Sequence, residues 1–146
     1  MSAGRAERSD LVQGQKLFHT YCAPCHQDNG AGNPVNNCPT LVGSEWVTTK
    51  DLGRIVRIIS KGLSGPIQVK GNISNGIMPA IGDQFLPGTE TEKSEQIAAI
   101  ISYVRKSFAG NDDPVPSAQV QAVRGTIKGH AQPFTLEELL QVRPAE

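Results

Sequence analysis

The chain has 146 residues, of which 38% are hydrophobic and 5% aromatic, and its 14 Lys and Arg residues balance its 14 Asp and Glu residues. This length accommodates one ordinary domain with some chain left over, and the neutral charge balance argues against nucleic acid as a partner. No run of about eighteen apolar residues, which would predict a transmembrane helix, occurs.

The first predicted helix covers "DLVQGQKLFHTYCAPC", and Asp10 is its expected N-cap. Apolar residues recur on roughly one face of it, namely Val12, Leu17, Phe18 and Tyr21. The helix is expected to end at the cysteine pair, because Pro24 disfavours its continuation. Residues 1–9 are expected to form a flexible N-terminus.

Two long loops are predicted on either side of a second helix in "TTKDLGRIVRIISKG". Residues 27–45 are rich in Gly, Asn and Pro, and a loop of this length inside a compact domain usually wraps something. The second helix has a threonine cap before it and Gly62 after it. Residues 63–88 are expected to be irregular apart from a small hairpin around "PIQVKGNIS", and they contain the tetrapeptide "GIMP".

A third main helix is predicted from Thr89, where "TETE" fits a capping box, to Gly110. The linker "GNDDPVPS" then precedes two short amphipathic helices in "SAQVQAVRGTIKG" and "TLEELLQV". We predict one domain over residues 10–110. Residues 111–146 are expected to be a helical extension that packs on the domain or on a partner, because so short a segment cannot bury a core alone.

The segment "YCAPCHQ" places two of the three cysteines three positions apart, with a histidine directly after the second. Such a pair serves in thiol redox chemistry, in half of a zinc site, or in covalent attachment of haem. For zinc, the other candidate ligands are Cys38, His19 and His130, with no second pair at ligand spacing. A thioredoxin-like pair opens the helix of a βαβ unit, whereas this pair closes an amphipathic helix.

Haem attachment accounts for the histidine as well as for the cysteines. Two thiols one helical turn apart can add to the two vinyl groups of a porphyrin, and the next residue then aims its imidazole at the iron. The motif therefore predicts haem c, with Cys22 and Cys25 as attachment points and His26 as an iron ligand. Two buried cysteines beside a surface histidine remain the structural alternative.

With this motif near the N-terminus and "GIMP" further on, residues 10–109 resemble the class I c-type cytochromes, which are small single-haem electron carriers. The resemblance implies an all-α cytochrome c fold, with three main helices and long loops around one covalently attached haem. In that family a glycine and an aromatic residue on the first helix meet an aromatic residue on the last. Gly14, Phe18 and Tyr103 match these positions.

The resemblance also implies roles for residues in the long loops. In "CPTL", the carbonyl of Pro39 would face the imidazole of His26, and Leu41 would lie against the haem. Met78 matches the family's second iron ligand. It is the only internal methionine, it is expected in a loop, and Pro79 favours an extended backbone there. Filling an apolar gap is the other use of such a methionine.

Three further residues have open interpretations. Trp46 is either a half-buried ring at the start of a helix or a donor of its indole N–H to a haem propionate. Cys38 is expected to be a buried free thiol, with a disulfide-linked dimer as the alternative. His130 would give a bis-histidine haem if it took the place of Met78.

The expected function is single-electron transfer without catalysis, between redox proteins such as a periplasmic dehydrogenase and a terminal acceptor. A haem enzyme or gas-binding protein with a displaceable sixth ligand is the rival. Family resemblance places haem attachment outside the cytoplasm, so we expect a periplasmic protein whose signal peptide has been removed, since "MSAGRAERSD" lacks an apolar segment. We expect a monomer.

Overall fold

The computed structural model describes residues 8–142, and helices dominate this part of the chain. Three main helices and a two-stranded antiparallel sheet form its framework, which confirms the predicted helical class. In chain order the elements are α1 (Arg8–Tyr21), α2 (Ala23–His26), α3 (Glu45–Thr48), α4 (Gly53–Lys61), β1 (Leu63–Val69), β2 (Asn72–Met78), α5 (Glu90–Ala109), α6 (Ser117–Thr126) and α7 (Leu136–Leu140).

In the described residues helix α1 covers Arg8–Tyr21, so Asp10 lies in its first turn and not at the predicted cap position before it. A carboxylate is favourable there because the N-terminal end of a helix carries partial positive charge. Residues 1–7 of the predicted flexible N-terminus lie outside the described residues. After a break at Cys22, Pro24 stands in the first turn of α2, where its missing N–H costs nothing. The proline therefore starts a new helical turn that carries Cys25 and His26.

Helices α1 and α5 pack with their backbones in contact. Gly14 lies directly against the carbonyl of Ala99, and a Cβ at position 14 would collide with that carbonyl and with Cβ of Tyr103. One turn later the buried ring of Phe18 lies 5.5 Å from the ring of Tyr103 and 5.4 Å from that of Phe108, measured between centroids. The glycine and the three rings fix the first helix against the last main helix.

The predicted start of α5 is confirmed, whereas the predicted start of α4 is wrong. At α5, the Thr89 side chain accepts the Glu92 N–H at 3.1 Å, and the Glu92 carboxylate accepts the Thr89 N–H at 2.9 Å. Helix α4 begins at Gly53, after the predicted threonine cap. Its N-cap is Leu52, whose side chain makes no capping bond, and the Gly53 N–H at the helix start donates to Asp51 Oδ1 at 2.8 Å.

The predicted hairpin is longer than expected, because strands β1 and β2 pair over their whole length from Leu63–Met78 to Val69–Asn72. Lys70 and Gly71 form its two-residue turn, and both have positive φ. Met78 is thus the last residue of a strand, and the expectation that it lies in a loop is wrong. Pairing with β1 holds this segment extended.

The C-terminal extension packs on the rest of the chain. Helix α6 lies against α5 and α4, and α7 lies beside β1. Arg124 of α6 is buried, and its guanidinium donates to Glu90 at 2.6 and 3.0 Å and to Asp83 at 3.1 Å. Lys61 at the end of α4 also bonds Asp83, at 2.6 Å. Within residues 8–142, no helix has both the length and the apolar character that crossing a bilayer demands.

Candidate functional site

A cleft lies between the α1–α2 segment on one side and the β1–β2 hairpin on the other. It encloses about 640 Å³, measured out to its open mouth. Five of the predicted site residues line it, namely Cys22, Cys25, His26, Pro39 and Met78. Cys22 and Met78, which lie 56 positions apart in the sequence, are thus brought to one site.

The hairpin lines the cleft mainly through alternate residues of both strands, and Ile77 also lines it near the open end. The residues on this face pair across the sheet as Leu63 with Met78, Gly65 with Gly76, and Ile67 with Ser74. Side chains two positions apart share a face of a strand, which explains the alternation. The paired glycines contribute no side chains to the middle of this wall; a Cβ at Gly65 would meet no atom within 4 Å, whereas one at Gly76 would lie 3.0 Å from Cβ of Asn37.

His26 is buried, and a hydrogen bond at Nδ1 fixes the orientation of its ring. Its Nδ1–H donates to the Pro39 carbonyl at 3.0 Å, and Cys38 Sγ lies 3.4 Å from the same nitrogen. Burial lowers the pKa of His26, and the Pro39 hydrogen bond only partly opposes this effect. The imidazole is therefore neutral at pH 7, and Nε2 is the nitrogen left with a lone pair for a metal.

The three cysteines lie near one another but differ in exposure. Cys22 is buried, Cys25 is exposed and Cys38 is half-buried, and all three are free thiols. Burial, together with the neighbouring sulfur atoms, raises the pKa of Cys22 to about 12. Burial likewise raises the pKa of Cys38 to about 12. Both groups are uncharged thiols at neutral pH.

Met78 is half-buried at the open end of the hairpin. The Met78 carbonyl lies close to Gly62, where an added Cβ would collide with it. Gly62 also has φ of 91°, a conformation that favours glycine. Met78 thus lines the cleft from the end of a strand whose backbone packs closely against Gly62.

The structure does not bring the other predicted site residues to the cleft. Leu41 packs against the main hydrophobic core instead. The Trp46 indole N–H donates to the Gln68 carbonyl at 2.9 Å, so this donor is already used within the protein. His130 Nε2 lies 2.7 Å from a Glu138 carboxylate oxygen, away from the cleft.

Sequence reasoning missed the hairpin residues that line the cleft, including Leu63, Gly65 and Ile67. The signal that was available is the alternation in "LSGPIQV" and "NISNGIM". The glycines and the proline in these two segments weaken a strand prediction. The pairing register between the segments, which the sequence pattern does not contain, is what makes them strands.

The donor set fits a haem. Two thiols one helical turn apart, a neutral imidazole with a fixed ring plane and a thioether face a cleft whose exposed surface is mostly apolar. Imidazole and thioether ligands suit haem iron, and the thiols can form thioether links to the porphyrin. Residues 8–142 contain no group of three or more His, Cys, Asp or Glu placed to hold a metal ion, which is the arrangement that the zinc alternative requires.

Comparison with known proteins matches residues 11–108 to the family model described as cytochrome c. The chain belongs to the cytochrome c family. Its cofactor is accordingly covalently bound haem c with iron, and it is an electron-transfer protein. The helix-dominated architecture with its small sheet is a cytochrome c fold.

The curated relatives that the chain matches include a cytochrome, a cytochrome subunit of a dehydrogenase and a subunit of an oxidase. Cytochrome c-552 of Thermus thermophilus is 30% identical over 134 residues, which is 90% of this chain and 85% of that relative. The fructose dehydrogenase cytochrome subunit of Gluconobacter japonicus is 34% identical over 113 residues, 77% of this chain but 22% of the relative. The cbb3-type cytochrome c oxidase subunit FixP of Bradyrhizobium diazoefficiens is 34% identical over 80 residues, 55% of this chain and 24% of the relative.

Proposed function

We propose that this cytochrome c is a single-haem electron carrier in which His26 and Met78 are the axial ligands and Cys22 and Cys25 the attachment points. When bound, haem c supplies an iron centre that accepts and releases one electron. The observation that carries the assignment is the convergence of these four residues on one cleft, although Met78 comes from a distant strand.

Each residue has a distinct task in this proposal. Pro39 accepts the Nδ1–H of His26 and thereby keeps Nε2 directed toward the cleft. The half-buried Met78 would supply the second ligand to the iron, which would leave no exchangeable site for a substrate. Leu63 and Ile67 give the hairpin wall an apolar surface that excludes water. We therefore assign no enzymatic reaction to the site.

The side of the cleft at Cys25 is where electrons would enter and leave. Cys25 is exposed whereas Cys22 is buried, so the cleft approaches solvent at its Cys25 edge. A partner that docks at this edge comes nearest to the cofactor. The ligand set need not rearrange during transfer, since neither His26 nor Met78 has to dissociate.

The partners that we propose are a dehydrogenase as donor and an oxidase or similar protein as acceptor. Two relatives carry these associations in their names, one as a cytochrome subunit of a dehydrogenase and one as a subunit of an oxidase. We further propose a periplasmic location, because haem c is attached outside the cytoplasm in the bacterial members that this sequence resembles.

The visible spectrum of the haem-loaded protein tests the ligand assignment. The ferric wild type should show the weak far-red charge-transfer band of sulfur ligation, and Met78→Ala should abolish it. Met78→Ala should also bind cyanide rapidly, whereas the wild type should bind it slowly. A wild type that lacks the band and binds cyanide or carbon monoxide at once would instead indicate a haem enzyme or gas-binding protein.

A further inference from the structure

The position of Met78 depends on the open end of a hairpin that is weak by itself. Leu63 and Met78 form the last pair of the β1–β2 sheet, at the end opposite the Lys70–Gly71 turn. An isolated two-stranded hairpin is at best marginally stable in water, and its open end separates first. Something besides the hairpin must therefore hold Leu63 and Met78 in register.

The C-terminal extension supplies this support through backbone hydrogen bonds. Phe134 pairs in parallel with Leu63 along the outer edge of β1. The Ser64 N–H donates to the Phe134 carbonyl at 2.9 Å, and the Phe134 N–H donates to the Gly62 carbonyl at 3.0 Å. Phe134 thus acts as one residue of a third strand, placed at the end of the hairpin that carries Met78.

The side chain of Phe134 reinforces the same point. It is 4% exposed and lies in a small cluster with Ile58, Ile127 and Leu139, and Leu63 and Met78 both pack against this cluster. Met78 therefore touches a hydrophobic cluster built largely from the extension. Removing the Phe134 ring would take away part of the surface against which Met78 and its strand partner rest.

Contacts within the extension hold Phe134 itself in place. The His130 ring stacks on it with centroids 3.8 Å apart and an interplanar angle of 13°. Directly after it, Thr135 and Glu138 form a capping box at the start of α7. The Leu139 carbonyl of α7 then accepts a hydrogen bond of 2.8 Å from Arg54 Nε. These contacts connect the segment that carries Phe134 to helix α7 and, through Arg54, to helix α4.

We propose that Phe134 is a positioning residue for Met78, and that the C-terminal extension is a brace that keeps the thioether at its ligand position. The inference rests on the proposed assignment of Met78 as an axial ligand. Without the brace, a larger fraction of molecules would have the hairpin end open and Met78 withdrawn. An added ligand would then enter in proportion to that fraction.

The test compares Phe134→Ala with Val120→Ala in the full haem-loaded chain, using imidazole as the competing ligand. Val120→Ala is the control for general loosening of the extension, because Val120 is fully buried in α6 but belongs to the main core and not to the cluster of Phe134. We expect Phe134→Ala to accelerate imidazole binding about tenfold and Val120→Ala by less than about twofold, because only the first change shifts the Met78 population. Phe134→Leu, which keeps most of the buried volume, should give an intermediate rate and covers the case in which the alanine variant does not fold.

Amide hydrogen exchange provides an independent readout. Faster exchange at Ser64 and Phe134 in Phe134→Leu than in Val120→Ala would support the brace. Equal imidazole rates in the Phe134 variants and Val120→Ala, with the wild-type far-red band intact, would refute the brace and leave the ligand assignment standing. Absence of the band from the wild type would overturn the ligand assignment and the brace together.

Discussion

Replacing Gly14 by alanine sets two effects of opposite sign against each other. Alanine is the better helix former by about 1 kcal/mol, so helix propensity by itself predicts a more stable protein. In the folded chain, however, the added Cβ would overlap the Ala99 carbonyl and Cβ of Tyr103. Both are rigid parts of α5, so neither can rotate away from the new methyl group.

The steric effect should dominate. Forcing an extra methyl group into a well-packed contact costs about 1–3 kcal/mol, and an overlap with backbone belongs at the upper end of that range. Separating α1 from α5 would also loosen the contacts of Phe18 with Tyr103 and Phe108. After the propensity gain is subtracted, we expect Gly14→Ala to lower the free energy of unfolding by about 2 kcal/mol.

Gly125→Ala is the matched control, because Gly125 is also a helical glycine but has no atom within 4 Å of the position that its Cβ would take. It should raise the free energy of unfolding by about 0.5–1 kcal/mol. Guanidinium unfolding of the ferric haem-loaded protein, followed by far-ultraviolet circular dichroism, measures both. A stabilising effect of Gly14→Ala similar to that of Gly125→Ala would refute the proposed backbone contact.

Two further predictions concern the polar contacts of α5 and α6. Hydrogen bonds from Arg124 hold the pKa of Glu90 below its usual value of 4.5, and hydrogen bonds from Lys61 and Arg124 outweigh burial to lower the pKa of Asp83. This stabilisation is present above the unfolded-state pKa values and is lost as the pH falls below about 4.5. Arg124→Gln should cost about 1–2 kcal/mol in unfolding experiments at pH 7 and show a shallower loss of stability on acidification; an unchanged pH profile would contradict the ion-pair assignment. Thr89→Ala should cost about 1 kcal/mol by removing the cap of α5, whereas Thr89→Ser should cost little; equal losses in both would count against the capping box.

Local signals in the sequence were sufficient for the main helices and for one side of the cleft. The capping box at Thr89 and the apolar spacing that follows it predict α5 correctly, because both act within a few residues. The adjacency of Cys22, Cys25 and His26 likewise predicts haem attachment before any fold is known. The predicted threonine cap of α4 is wrong, because the helix begins later, with Leu52 at the N-cap and Asp51 accepting the first helical N–H.

The other side of the cleft depends on contacts between distant segments. The tetrapeptide "GIMP" predicts Met78 as a site residue, but its place on a strand follows from the pairing register with β1, which no local pattern specifies. The attachment of Phe134 to Leu63 joins segments far apart in the chain and leaves no periodic signal. The chemistry of Trp46 predicts a hydrogen-bond donor but not its acceptor. That acceptor is the backbone carbonyl of Gln68, a group that every residue has and that the sequence therefore does not single out.

Peptide mapping of the haem-loaded protein by mass spectrometry tests the central assignment most directly. After denaturation and proteolysis, we expect one haem per chain, on the peptide that carries Cys22 and Cys25, and Cys38 unmodified. Cys38→Ala should keep its haem, whereas the double variant Cys22→Ala, Cys25→Ala should lose it to acidic organic solvent. Extraction of haem from the denatured wild type, or a haem adduct on Cys38, would contradict the account.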